Sequence, residues 1–172
     1  MSKHHFMERR RFLKNLAAAG AGLTAASVGA PAILARPSPN DILGVGCIGV
    51  GTQGHRLLQQ AQGVPNTEIR VISDLYTGNI ARARRLCENS NVRIVKEWEK
   101  VLQDPDIDVV IIGTPDFWHT PMAVAAAGAK KDIYVEKGLC RTLEEAKAIR
   151  KAVKDNNVVL QLGHQYNSTP TF

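Results

Sequence analysis

Three glycines, Gly49, Gly51 and Gly54, spell Gly-x-Gly-x-x-Gly, and an aspartate, Asp74, follows 20 residues after the last of them. Glycines at this spacing suit a tight turn and a close approach of a phosphate to the backbone, with a helix packed tightly on the preceding strand. The N-terminus of that helix offers free N–H groups and a positive dipole end to the phosphates. An acid about 20 residues further on is placed to accept hydrogen bonds from an adenosine ribose. Taken alone, Asp74 has a commoner reading as a helix N-cap or turn residue. Further chemistry-bearing stretches are Thr114-Pro115-Asp116-Phe117-Trp118-His119, Glu136-Lys137 and Gly163-His164-Gln165. A lysine in a pocket with little water can hydrogen-bond a substrate oxygen and handle its proton. Lys137 is the candidate catalytic group; its competing reading is a surface salt bridge with Glu136 or a neighbour. Trp118 and His119 would line the nicotinamide side, against the alternative that His119 is a satisfied buried histidine. His164 carries the same two readings.

These stretches gain meaning from the elements around them. Leu43–Ile48 is an apolar run that leads into the glycines, and His55–Gln62 is rich in helix formers. Strands are expected at 68–73, 92–95, 109–113, 133–136 and 158–162. Helices are expected near 77–88, 98–102, 120–129 and 142–156. Thr142 with Glu145 makes a capping box for the last helix. Strands alternating with helices give βαβ units and a parallel sheet of the α/β class, expected to be doubly wound. Ligands of such sheets bind beyond the carboxyl ends of the strands, where each marked stretch falls. A carboxylate at Asp74 would repel a 2′-phosphate, which favours NAD, with NADP as the alternative.

The chain has 172 residues, 44% hydrophobic and 22% charged, which is globular rather than disordered composition. Its net charge of +6 is uneven: +4 falls in residues 1–35, leaving +2 elsewhere. The body lacks a basic face interleaved with aromatics, so nucleic acid is not an expected partner. Cys47, Cys87 and Cys140 are widely spaced, with neither metal-ligand nor disulfide patterning; buried thiols are expected, and no metal site.

Arg9-Arg10-Arg11-Phe12-Leu13-Lys14, followed by an Ala- and Gly-rich stretch to Ala35, resembles a twin-arginine (Tat) export signal. Glu8 stands where that pattern has Ser or Thr. Gly20, Gly22, Thr24, Ser27, Gly29 and Pro31 make the stretch a poor membrane span, so a cleaved signal over 1–35 is expected, with no stable membrane insertion after export. Residues 36–41, with Pro37 and Pro39, read as a linker, and 42–164 as the dinucleotide-binding domain.

The order Gly49–Gly54, Asp74, Thr114-Pro115 through His119, Glu136-Lys137 and Gly163–Pro170 resembles the Gfo/Idh/MocA family of oxidoreductases. The resemblance implies a Rossmann domain that binds NAD or NADP through Gly49, Gly51, Thr52, Gln53, Gly54, Asp74, Thr114, Pro115, Trp118, His119, Glu136, Lys137 and Gln165. It implies hydride transfer to or from a sugar, polyol or sugar derivative, with a periplasmic or otherwise exported location. A following α/β domain should supply most substrate contacts and an Asp–His pair. No counterpart of that domain is expected within these 172 residues, and 165–172 would begin the crossover into it. Homo-oligomers, which relatives form through that second domain, are expected only of a longer chain. Gly138 departs from the family's proline after Glu-Lys; glycine admits unusual φ/ψ values, and a cis bond before a non-proline residue is rare. Two other functions fit the same residues. One is an NAD-dependent glycoside hydrolase or lyase that oxidises, eliminates and then reduces. The other is a nucleotide-binding module without catalysis.

Overall fold

The computed structural model describes residues 42–164. The expected signal (1–35), linker (36–41) and crossover (165–172, with Gln165) lie outside them. Within the described part, strand β1 (Leu43–Ile48) leads to α1 (Thr52–Gln62), β2 (Thr67–Ser73) to α2 (Thr77–Leu86), and β3 (Arg93–Val95) to α3 (Glu99–Gln103). Then β4 (Val109–Ile112) enters a 3₁₀ turn (Asp116–Trp118) and α4 (His119–Gly128), and β5 (Asp132–Glu136) enters α5 (Leu143–Asn156) and β6 (Leu160–Gly163). Every pairing is parallel, in the order β3-β2-β1-β4-β5-β6. This is the doubly wound order, which reverses direction between β1 and β4 and leaves a crevice at their carboxyl ends.

Alternation along the strands, interrupted once by a register shift between Ile69 and Val71 of β2, sorts the core onto two faces. Val45, Cys47, Ile69, Ile72 and Ile111 pack with Leu57 and Leu58 of α1 and Ala83 of α2. Ile48, Val71, Val110, Ile112, Ile133 and Val135 pack with Val101 of α3, Ala123 and Ala126 of α4 and Ile149 of α5. Strands covered on both faces must be apolar throughout, which explains the unbroken Val-Val-Ile-Ile run of β4. Among the described residues, no helix is long and apolar enough to cross a membrane.

Two local expectations need correction. Helix α1 begins at Thr52 rather than His55, so Gly54 is inside its first turn. The capping box closes on one side only. Glu145 N–H donates to Thr142 Oγ1 at 3.1 Å, but the Glu145 carboxylate accepts the backbone N–H and guanidinium of Arg141, at 2.7 and 2.9 Å. The arginine adds charge to the contact, and the carboxylate serves the residue before the cap.

The thiols also differ from one another. Cys47 is buried, whereas Cys87 and Cys140 are half-buried. Burial, with a smaller contribution from Cys87, pushes the Cys47 thiol from 9.0 to about 12. At a given pH its thiolate is then about a thousandfold scarcer than at the ordinary value. In native protein at neutral pH, iodoacetamide should therefore modify Cys140 first and reach Cys47 only on unfolding, as peptide mass spectrometry would show. Rapid native labelling of Cys47 would contradict this packing. The raised value favours the neutral thiol in the fold, so its stabilisation holds below pH 9 and fades as pH rises towards 12.

Candidate dinucleotide site

The turn after β1 is built by glycine where backbone meets backbone. Gly49 has φ +78°, a left-handed conformation that costs glycine little. A Cβ on Gly54 would stand 2.1 Å from the Gly49 carbonyl oxygen, so no larger residue lets α1 seat against the loop. Gly51 is different: its nearest neighbour to an added Cβ is Asn79 Nδ2, at 3.9 Å. Nothing inside the protein demands glycine there, and the space in front of it is open to the crevice.

That crevice has a volume of about 490 Å³ and runs from Asp74, Leu75, Asn79 and Lys96 past Gly49 and Gly51 to Thr114, Pro115 and Trp118. No side chain caps the N-terminus of α1, and its first turn holds no acid. The first helical bond is His55 N–H to Gly51 O at 2.9 Å, so the N–H groups ahead of it are unclaimed by the helix. An open cradle at Gly51 and an uncapped positive helix end fit an anionic diphosphate.

Asp74 follows β2 and faces the same crevice. Its Oδ2 accepts Val50 N–H at 2.8 Å and Asn79 Nδ2–H at 3.2 Å; its Oδ1 accepts Tyr76 N–H at 2.8 Å. The turn role and the loop-bracing role are therefore both real, and α2 has Tyr76 at its N-cap. A carboxylate offers roughly four acceptor positions, so one on Oδ1 remains for a ribose hydroxyl.

A second cavity, about 270 Å³, is lined by Gln53, Gly113, Thr114, Glu136 and Lys137. It shares the Gly113–Thr114 wall with the first. Lys137 is exposed, and none of the ion pairs found among the described residues includes it. The salt-bridge alternative for this residue is therefore not what the structure shows. Glu136 is only 7% exposed; it accepts Gln53 Nε2–H at 2.9 Å and Lys137 N–H at 3.2 Å. The Lys137–Gly138 peptide is cis.

Some expected positions fall elsewhere. His119 is buried, with Nδ1 2.8 Å from Gly138 O and Nε2 2.8 Å from Thr114 O. Both ring nitrogens are occupied by backbone, so His119 joins the β4 and β5 loops and does not line the nicotinamide side. Thr52 is exposed at the start of α1 and borders neither cavity. His164 is exposed after β6, its N–H donating to Leu162 O at 2.9 Å. Two residues escaped the sequence reading. His55, also buried, has Nδ1 2.7 Å from Gly51 O and Nε2 3.2 Å from Asn79 O. It ties the glycine loop to α2, and Asn79 borders the crevice beside Asp74. A histidine four residues after Gly51 on a helix was the available signal.

Residues 43–164 match the family model GFO_IDH_MocA, an oxidoreductase family with an NAD-binding Rossmann fold. Levoglucosan dehydrogenase from Pseudarthrobacter phenanthrenivorans is 41% identical over 138 residues, covering 74% of this chain and 34% of that protein. Glycosyl hydrolase family 109 protein 1 of Shewanella sp. (strain MR-4) is 32% identical over 163 residues, covering 82% and 36%. An NAD-binding protein from Listeria innocua aligns with TM-score 0.64 at 26% identity, covering 70% of this chain and 35% of that one. A 3-ketoreductase from Actinomadura kijaniata, solved with NADP, shares the fold at TM-score 0.68 and 21% identity, covering 76% and 39%. The chain thus spans about a third of the length of the curated relatives it matches.

Proposed function

The chain belongs to the Gfo/Idh/MocA family of NAD-binding Rossmann-fold oxidoreductases, and from that premise we propose that it carries the cofactor-binding part of an exported enzyme that oxidises a hydroxyl of a sugar, polyol or sugar derivative. The carrying observation is the shared wall at Gly113–Thr114. It sets the cavity holding Lys137 directly beside the crevice of Gly51 and Asp74. A dinucleotide laid with its adenosine ribose at Asp74 and its diphosphate at Gly51 brings its nicotinamide end to the second cavity. The nicotinamide, when bound, supplies the hydride acceptor. Lys137 holds the substrate oxygen and handles the alcohol proton once bound substrate covers its amine and excludes water. Glu136 faces the same space from the floor. Export rests on the twin arginine at Arg9-Arg10 and the small-residue stretch to Ala35.

The relatives support the substrate class by their names: one is a levoglucosan dehydrogenase, and others are glycosyl hydrolases. The latter favour a second reading, in which oxidation is transient and a glycosidic bond is cleaved without net NADH.

Binding has a built-in reporter. The chain has two tryptophans, Trp98 and Trp118, and both border the crevice. Titration with NADH should quench their emission and sensitise that of the dihydronicotinamide. An unchanged spectrum, with no retained nucleotide, would refute the cofactor reading. Incubation of the intact, full-length protein with NAD and a panel of sugars then separates the two activities: net NADH for the dehydrogenase, aryl-glycoside cleavage with no net NADH for the hydrolase.

A further inference from the structure

The second position of the x-x pair in the glycine motif is Gln53, and its side chain turns towards the far end of the site. Gln53 Nε2–H donates to Glu136 Oε1 at 2.9 Å, across 83 residues of sequence. The other Glu136 oxygen, Oε2, accepts the Lys137 backbone N–H at 3.2 Å. Glu136 is 7% exposed as a residue, and no cation pairs with its carboxylate among the described residues. A buried carboxylate held only by neutral donors depends heavily on each of them. One donor comes from the first turn of α1, the other from the loop that carries Lys137. Strand β4 lies between β1 and β5, so this bond spans the crevice floor from the diphosphate end to the lysine end.

We propose that Gln53 is a positioning residue. Its amide fixes the Glu136 carboxylate, and through it the Lys137 main chain, so that the nicotinamide end of the crevice keeps its place relative to the diphosphate loop. The role rests on the dinucleotide reading of the crevice. It also makes a demand of its own, that the contribution of Gln53 to binding passes through Glu136 and not through the phosphates.

A donor–acceptor exchange tests it on this chain. Gln53→Leu removes the donor, and a lost hydrogen bond to a buried charge should weaken NADH binding about tenfold. ADP, which carries only the adenosine and diphosphate part, should bind within about twofold of the unmodified protein, since the lost contact is remote from it. The double exchange Gln53→Glu with Glu136→Gln reverses the bond. A glutamine at 136 can accept Lys137 N–H through its oxygen and donate to the new carboxylate through its nitrogen. NADH affinity should then return to within about threefold of the original, whereas Gln53→Glu alone, facing Glu136, should bind worst. Amide hydrogen exchange at Lys137 is a readout that needs no ligand: it should quicken in Gln53→Leu and recover in the double exchange, while Leu57 and Leu58 stay protected as a check on folding. Equal weakening of ADP and NADH, failure of the exchange to rescue, or unchanged Lys137 exchange would each overturn the proposal. Loss of NADH binding by the unmodified chain, with the exchange pattern intact, would sink the cofactor reading instead and leave the positioning contact standing.

Discussion

Replacing Gly51 with alanine should leave the protein folded and weaken dinucleotide binding of the order of 100-fold, whereas replacing Gly54 with alanine should remove a large part of the stability. The two glycines stand three residues apart in one motif, yet they answer to different constraints. An alanine Cβ at 54 would lie 2.1 Å from Gly49 O and 3.0 Å from Gly49 C, both backbone atoms with no rotamer to move aside. Gly49 itself is held at φ +78°, with its N–H donating to Ser73 O at 2.8 Å. Relief requires moving α1 off the strand, and overpacking against backbone falls at the upper end of the usual cost, about 3 kcal/mol. That is a large part of the roughly 5–15 kcal/mol by which domains are stable. At 51 the backbone is ordinary, φ −71° and ψ −160°, and the nearest obstacle is 3.9 Å away. An alanine there should change stability by less than about 1 kcal/mol. Its methyl group would occupy the space a diphosphate needs. Losing even one backbone hydrogen bond to a charged phosphate is worth about 1.5–3 kcal/mol, so the NADH dissociation constant should rise of the order of 100-fold. Urea unfolding and Trp-reported titration of both variants decide the matter. A Gly51→Ala protein that binds NADH normally would mean the diphosphate lies elsewhere.

The glycine motif, Asp74 and the Glu136-Lys137 strand end could be found in the sequence because each rests on a local requirement that shows in residue type. A backbone that must be bare needs glycine, and strands buried on both faces need unbroken apolar runs such as Val109–Ile112. What could not be read depends on distant backbone. Whether His119 faces ligand or protein turns on the 3₁₀ turn at Asp116–Trp118 and on two carbonyls, those of Thr114 and Gly138, that only the assembled sheet brings together. The helix that follows is apolar nearly all round, so its pattern gave no face to which the ring could be assigned. The Gln53–Glu136 bond exists because β1 and β5 flank β4, and nothing in either segment announces the other. Glu145 chose Arg141 over Thr142 for a similarly local but three-dimensional reason.

Replacing Asp74 with alanine should produce two losses that can be separated. The first is structural. Val50 is fully buried, and its N–H donates to Asp74 Oδ2 at 2.8 Å; orphaning that donor should cost about 1–3 kcal/mol of stability. Tyr76 N–H and Asn79 Nδ2–H lose the same acceptor, so the glycine loop and the start of α2 both slacken. The second loss is specific to the ligand. A ribose hydroxyl that donates to the free position on Oδ1 would forfeit a charge-assisted bond, which weakens NADH by about 10- to 100-fold. NADPH places a phosphate where that hydroxyl would be, and a carboxylate repels it. Removing Asp74 takes away that repulsion, so NADPH should suffer only from the slackened loop. The slackening is common to both ligands and cancels in the ratio of their dissociation constants. A ratio that shifts at least about tenfold towards NADPH identifies Asp74 as the ribose acceptor. A ratio that stays fixed while both affinities fall would confine Asp74 to bracing the loop, and the preference for NAD would have to come from other residues of the crevice.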